Sequence, residues 1–122
     1  MHPDIRGHVR YKMKNGMLAV LPLPGQFRSI VGHIVDISGS GLALRHTDEI
    51  PVHLKRGDLI LMGHEDREDQ VLEIPARLVY EKEQAEGYRS GFQFGELSSE
   101  QVSQLACFIQ SNVEPATALA KP

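Results

Sequence analysis

Alternation of apolar and polar residues in the second half of the chain constrains the fold most. Within residues 71–83 every second side chain from 72 to 80 is apolar, and Glu73, Arg77 and Glu81 lie on the other face. These apolar residues are Leu72, Ile74, Ala76, Leu78 and Tyr80. Successive side chains of a strand point to opposite faces, so this pattern predicts a strand with one buried face. Tyr80 is thereby predicted to lie in the core.

Further short segments rich in apolar or β-branched residues predict additional strands. They cover residues 17–21, 27–37, 42–45, 58–63 and 88–95. The segment 27–37 is apolar on both faces, which leaves its inward face unassigned and allows a bulge near Gly32. The turn Ser38-Gly39-Ser40-Gly41 joins this segment to the next strand as a hairpin.

One helix is predicted near the end of the chain. Ser98 is a favourable N-cap, and Gln101 stands three residues later, which is the spacing of a capping box. Apolar residues then recur at helical spacing as far as Asn112, a plausible stop. Six or so short strands with a terminal helix predict an all-β fold, as an antiparallel barrel or a sandwich.

The length of 122 residues predicts one domain. We expect a flexible N-terminal arm over residues 1–16, a folded body over 17–112 and a disordered tail over 113–122. The chain shows no apolar run long enough for a membrane span and no signal peptide. Its single cysteine, Cys107, excludes an internal disulfide framework. A cytoplasmic protein without membrane insertion is therefore expected.

Charge is distributed unevenly along the chain. Residues 1–35 hold five basic residues and one acidic residue (+4), and residues 36–122 hold 8 basic and 15 acidic residues (−7), which sum to −3. A net acidic chain does not suit duplex nucleic acid, which needs a broad basic face. A small basic segment on an acidic body suits a small anion, although a solvated basic arm would look the same.

Asp36-Ile37-Ser38-Gly39-Ser40-Gly41 is the first candidate site. Asp36 and Ser38 are two residues apart, so an extended chain would present both to one face. A carboxylate beside a hydroxyl suits a guanine edge, because the carboxylate accepts from the ring N–H and the amino group. The alternative is a plain hairpin turn, in which the Asp and Ser side chains bond to nearby backbone.

Arg6-Gly7-His8-Val9-Arg10 is the second candidate site. Two arginines four residues apart can both reach one phosphodiester, because guanidinium groups bond phosphate oxygens bidentately. The alternative is a pair of solvated arginines on the arm.

The spacing of the candidate residues does not fit the common motifs of enzymes and metal sites. Ser38 and Ser40 do not fit G-x-S-x-G, and the glycines of the turn lack the third glycine of a dinucleotide fingerprint. The six histidines show no H-x-x-x-H or H-E-x-x-H pattern, so no metal site and no catalytic residue are predicted.

The two candidate sites occur together and in order, R-x-x-x-R and then D-x-S-x-x-G after an intervening strand. This pair resembles the motifs of PilZ domains, bacterial receptors for cyclic di-GMP. Residues 32–44, 76–80 and 88–101 also resemble the family's strands and the start of its closing helix. The resemblance implies a six-stranded antiparallel β-barrel with a C-terminal α-helix and a ligand on the outer barrel surface.

The resemblance also implies roles for individual residues. Arg6 and Arg10 would hold the phosphates and guanine faces, Asp36 and Ser38 would read a guanine edge, and Gly41 would shape the turn. The remaining candidates are Gly39 and Ser40, inside the same motif, and Arg77 and Arg89, which alternation places outward.

The leading hypothesis is a non-enzymatic receptor that has no cofactor besides its ligand, cyclic di-GMP. Ligand binding would order the arm and let an unidentified protein partner read the changed surface, with motility, biofilm or exopolysaccharide output. The alternative is a PilZ-like interaction adaptor that binds no nucleotide.

Overall fold

Strands dominate the structure, a computed structural model that describes residues 9–14, 16–23, 29–51, 56–63 and 71–112. Within these residues the chain forms seven β-strands and one α-helix. Their bounds are β1 (Tyr11–Lys12), β2 (Leu18–Pro22), β3 (Ser29–Ile37), β4 (Gly41–His46), β5 (Arg56–Met62), β6 (Val71–Gln84), β7 (Gly87–Phe94) and α1 (Ser99–Asn112).

Six of the strands close into an antiparallel barrel. The order around it is β3-β2-β5-β6-β7-β4, and the pairing of β3 with β4 completes the ring. The two-residue strand β1 pairs with the far end of β3, where Lys12 lies opposite Asp36. The predicted six-stranded barrel with a C-terminal helix is confirmed.

The helix α1 contributes buried residues to the barrel core, among them Leu105, Phe108 and Ile109. Its predicted capping box is present: the Ser98 hydroxyl accepts from the Gln101 N–H at 3.1 Å, and the Gln101 side-chain oxygen accepts from the Ser98 N–H at 2.9 Å. The start of the helix is therefore fixed by its own sequence.

A β-bulge in β6 reverses the predicted orientation of Tyr80. Leu78 lies opposite Phe92, and Tyr80 lies opposite the adjacent residue Gly91, so Val79 is an extra residue in the ladder. One extra residue switches every later side chain to the other face. Tyr80 is consequently 39% exposed, and the prediction that it lies in the core is wrong.

A second bulge shapes β3. Its register shifts between Ile34 and Asp36, rather than near Gly32 as predicted, and Val35 is the extra residue. Both Ile34 and Ile37 are buried as a result. Strict alternation would have turned Asp36 inward with Ile34, so the bulge is what brings this carboxylate to the outer surface.

The described part of the N-terminal arm is attached to the barrel. Besides the β1–β3 pairing, Met13 is buried, and the Lys14 N–H donates to the Asn112 carbonyl oxygen at 2.9 Å. Residues 1–8 and the predicted tail at 113–122 lie outside the described residues. Among the described helices, none is long and apolar enough to cross a membrane.

Candidate functional site

Asp36 lies between two arginines on the outer surface of the barrel. Its Oδ1 is 2.5 Å from Nη1 of Arg10, and its Oδ2 is 3.5 Å from Nη2 of Arg89. Arg10 stands just before β1, whose pairing with β3 holds it beside Asp36. Residues from the start, middle and end of the chain thus form one cluster of two guanidinium groups and a carboxylate.

Solvent reaches all three side chains of this cluster, since Arg10 is 53% exposed, Asp36 21% and Arg89 33%. Exposed ion pairs contribute little to stability because water screens them and long side chains lose entropy when they are held. The partners of Asp36 can therefore be exchanged at modest cost, which suits a site that must accept a charged ligand.

Ser38 holds the turn after β3 together. Its buried hydroxyl oxygen accepts from the N–H groups of Ser40 and Gly41, each at 3.2 Å. The plain turn role, which the sequence left open, is therefore present in this structure. Ser38 reaches a ligand only if that bonding is rearranged, whereas exposed Ser40 already stands at the surface.

Gly41 is required by close packing between β4 and β7. A Cβ atom at this position would collide with the carbonyl oxygen of Phe92, which is a backbone atom and cannot swing away. The glycine of the D-x-S-x-x-G motif therefore lets the turn run directly against β7. Gly39 lies half-buried in the same turn.

Tyr80 shares the outer face with Asp36. Across the strands its row runs from Tyr80 to Gly91, then to Ala43 and on to Asp36. The ring of Tyr80 lies over Gly91, since a Cβ atom there would overlap it. An aromatic ring and the Asp36 carboxylate thus face the same side of the barrel with two small residues between them.

Arg77 lies apart from this cluster. It is on β6, three strands around the barrel from Asp36, and it donates a hydrogen bond to the side chain of Gln93. It lies opposite Arg56 and lines a cavity of about 550 Å³ with it. Arg6, the first arginine of the R-x-x-x-R motif, lies outside the described residues.

Sequence reasoning missed Arg45 and Lys82, which lie directly opposite Arg89 on its two neighbouring strands. Alternation placed Arg89 outward, and the same alternation along β4 would have placed Arg45 outward too. The strand pairing that lines the three residues up cannot be read from the sequence, because it depends on the register of separate ladders.

A buried histidine–serine pair lies directly beneath this row, because His46 follows Arg45 on β4 and Ser90 follows Arg89 on β7. His46 Nδ1 is 2.7 Å from the carbonyl oxygen of Asp48, which can only accept, so Nδ1–H donates to it. The other ring nitrogen, Nε2, is hydrogen-bonded to the Ser90 hydroxyl at 2.6 Å. Both side chains are buried, and Ser90 is 0% exposed. This pair cannot attack an external substrate, so it is a structural crosslink between β4 and β7.

Metal ligation has no candidate in the part of the chain that the structure describes. No group of three or more histidine, cysteine, aspartate or glutamate side chains there is placed to hold a metal ion.

The chain matches the model of one protein family. The model of the PilZ domain matches residues 4–111, which span the arm, the barrel and nearly all of α1. The protein therefore belongs to the PilZ domain family. A search of curated proteins gives no match.

Solved structures share this fold. The PilZ domain with c-di-GMP of YcgR from Escherichia coli aligns with a TM-score of 0.67 and 17% identity over 87% of this chain and 89% of that chain. The Bacillus subtilis inhibitor of motility (MotI/DgrA) aligns with a TM-score of 0.61 and 17% identity over 87% of this chain and 49% of that one. The PilZ domain of CeSA from a cellulose-synthesizing bacterium aligns with a TM-score of 0.57 and 15% identity over 85% and 97% of the two chains.

Proposed function

We propose that this protein is a non-enzymatic receptor for cyclic di-GMP. The observation that carries the proposal is the cluster of Arg10, Asp36 and Arg89, which joins one residue from each PilZ motif on the outer barrel surface. The structural neighbour from E. coli was solved with this nucleotide, which supports the same ligand class here.

The chemistry of the cluster suits both parts of the ligand. Cyclic di-GMP carries two phosphodiester anions, and guanidinium groups bond phosphate oxygens bidentately with charge-assisted hydrogen bonds. The carboxylate of Asp36 accepts from the ring N–H and the amino group of guanine. The outward ring of Tyr80, on the same face, offers a surface on which a purine can stack.

Binding would exchange partners at Asp36. In this structure its carboxylate pairs with Arg10 and Arg89. A guanine edge on Asp36 would free Arg10 to turn to a phosphate, so that the arm ahead of β1 changes its position. That change of surface is what a protein partner would read in the proposed signalling role.

Calorimetric titration of the full chain with cyclic di-GMP tests the proposal. We expect saturable binding that weakens at least about 30-fold in both Arg10→Ala and Asp36→Asn, since each loses charge-assisted hydrogen bonds. Raising the salt concentration should also weaken binding, because phosphate contacts are screened.

Arg56→Ala is the matched control. Arg56 is another exposed arginine on the outer wall, but it lies on β5, away from Asp36. Its affinity should stay within about twofold of the unsubstituted protein, a difference too small to represent a lost hydrogen bond. A flat titration of a folded protein would contradict the receptor proposal and favour an adaptor that binds no nucleotide.

A further inference from the structure

Three basic residues form a straight row across the outer wall of the barrel. Lys82 on β6 lies opposite Arg89 on β7, and Arg89 lies opposite Arg45 on β4. We call these three residues the basic row. His33 on β3, opposite Arg45, continues the same line.

The basic row has little charge compensation within the described residues. There, Arg45 and Lys82 are exposed and make no hydrogen bond or ion pair, and Arg89 is 3.5 Å from Asp36 alone. Asp36 is itself shared with Arg10. The three cations of the basic row thus have one paired carboxylate between them, which is shared with Arg10. This local excess of positive charge stands out on a chain whose net charge is −3.

Cross-strand neighbours of like charge repel each other. Adjacent strands lie about 4.8 Å apart, and like charges directly opposite each other destabilise a sheet. An anion with several charged oxygens placed over the row would contact two or three of these side chains and remove the repulsion. The row is therefore better matched to a bound anion than to solvent alone.

Open space lies next to the row. A cavity of about 490 Å³ is lined by Arg45 and His33 together with residues of the β6–β7 turn, including Glu86 and Tyr88. Glu86 is the carboxylate in this lining, and no ion pair joins it to Arg45 among the described residues. The guanidinium of Arg45 can therefore be reached by a ligand that sits on Asp36 and extends along the wall.

A second arginine pair in the same protein shows what a compensated arrangement looks like. Arg56 and Arg77 also face each other across two strands. There, however, Arg77 donates to Gln93, and the carboxylates of Asp58 and Glu96 line the same cavity. That cavity lining holds two cations and two carboxylates, whereas the three cations of the basic row have the shared Asp36 and, beside Arg45, Glu86.

We propose that the basic row binds a phosphate of the cyclic dinucleotide, with Arg45 and Lys82 as phosphate-binding residues outside the two sequence motifs. This inference rests on the proposed function. Arg89, the middle residue of the row, is 3.5 Å from Asp36, so the row passes beside the carboxylate that is proposed to read guanine. Arg45 supplies a planar fork for two phosphate oxygens, and Lys82 supplies a mobile point charge.

Titration of three variants with cyclic di-GMP tests the basic row. Arg45→Ala and Lys82→Ala should each raise the dissociation constant about tenfold, the effect of losing one charge-assisted hydrogen bond. Both should also show a weaker dependence of affinity on salt than the unsubstituted protein. Arg56→Ala removes the same charge elsewhere on the barrel and should bind within about twofold of the unsubstituted protein.

Melting curves separate these effects from unfolding. Since Arg45 and Lys82 are exposed and repelled by Arg89, removing either should leave the melting temperature unchanged or raise it. Arg45→Lys keeps the positive charge but loses the planar guanidinium group that can bond two phosphate oxygens. Its affinity should therefore lie between those of the unsubstituted protein and Arg45→Ala.

The outcomes are distinguishable. If the unsubstituted protein binds while Arg45→Ala and Lys82→Ala bind as tightly as it does, the basic row is not a phosphate site and only this inference fails. Equal losses in all three variants would also overturn it, because they would show a general effect of charge. If the unsubstituted protein does not bind, the receptor proposal and this inference fail together.

Discussion

At the scale of single residues, Ser38 is hydrogen-bonded to the backbone of its own turn. Its hydroxyl accepts two backbone N–H groups of the turn that leads into β4. These N–H groups lie at the corner of the hairpin that presents Asp36. The hydroxyl therefore fixes the position of the motif.

Ser38→Ala should lower the free energy of unfolding by about 1–2 kcal/mol, because two N–H groups lose their acceptor in a buried turn. Urea denaturation of the two proteins measures this difference. Thr47→Ala is the control, since it removes an exposed hydroxyl outside this turn; it should cost well under half as much. A Ser38→Ala protein as stable as the parent would contradict this structural role.

Individual side-chain orientations were the least predictable part of the site. Alternation placed Arg89 outward correctly, yet it placed Tyr80 in the core, because the apolar run Leu78-Val79-Tyr80 does not show which of its residues is the extra one. In β3 the bulge at Val35 made both faces look apolar, so the outward position of Asp36 followed from the D-x-S-x-x-G motif rather than from periodicity. A single extra residue in a ladder reverses a face without changing composition.

At the scale of elements, the terminal helix was predicted with the fewest errors. Its signals are local: a capping box at one end and apolar residues at helical spacing along one face. The structure contains both hydrogen bonds of the box. The arm was harder to predict, because its two-residue pairing with β3 and the Lys14–Asn112 hydrogen bond depend on contacts distant in sequence.

Ser98→Ala should destabilise the protein by about 1 kcal/mol, since the first turn of α1 loses its N-cap acceptor. Thermal or urea unfolding followed by circular dichroism measures the change. Ser111→Ala, an exposed substitution near the other end of α1, should leave stability within about half a kcal/mol of the parent. If the two variants were equally stable, the capping box would contribute nothing to the fold.

At the scale of the whole molecule, one titrating group links stability to alkaline pH. The pKa of the Tyr88 phenol lies above its ordinary value of 10.0, because burial disfavours the phenolate and nearby carboxylates repel it. Those carboxylates belong to Glu49, Glu83, Glu81 and Asp48. The raised pKa means that the folded state prefers the neutral phenol more strongly than the unfolded state does.

The contribution of the Tyr88 phenol to the free energy of unfolding is therefore complete below pH 10. It declines as the pH rises from 10 through the higher pKa of the folded state. Tyr88→Phe should flatten that part of the stability profile, and its stability relative to the parent should increase from pH 9 to pH 11. Urea denaturation at several alkaline pH values provides the comparison. Parallel profiles for the two proteins would show that Tyr88 has the same pKa folded and unfolded.

The six-stranded barrel was predictable in outline because turn residues divide the chain into short strands, and the ordered pair of motifs selected the PilZ architecture. The basic row was not, because Lys82, Arg89 and Arg45 come together only through two separate ladders. Sequence patterns thus located the carboxylate of the candidate site and left unassigned the cations beside it.

Each strand of the six-stranded ring has a neighbour on both sides in the part of the chain that the structure describes, but the ladders of β6 are staggered. β5 pairs with Val71–Arg77, and β7 pairs with Ala76–Gln84. The edge of residues 78–84 that faces away from β7 therefore has no strand partner among the described residues, and an incoming strand could extend the sheet there.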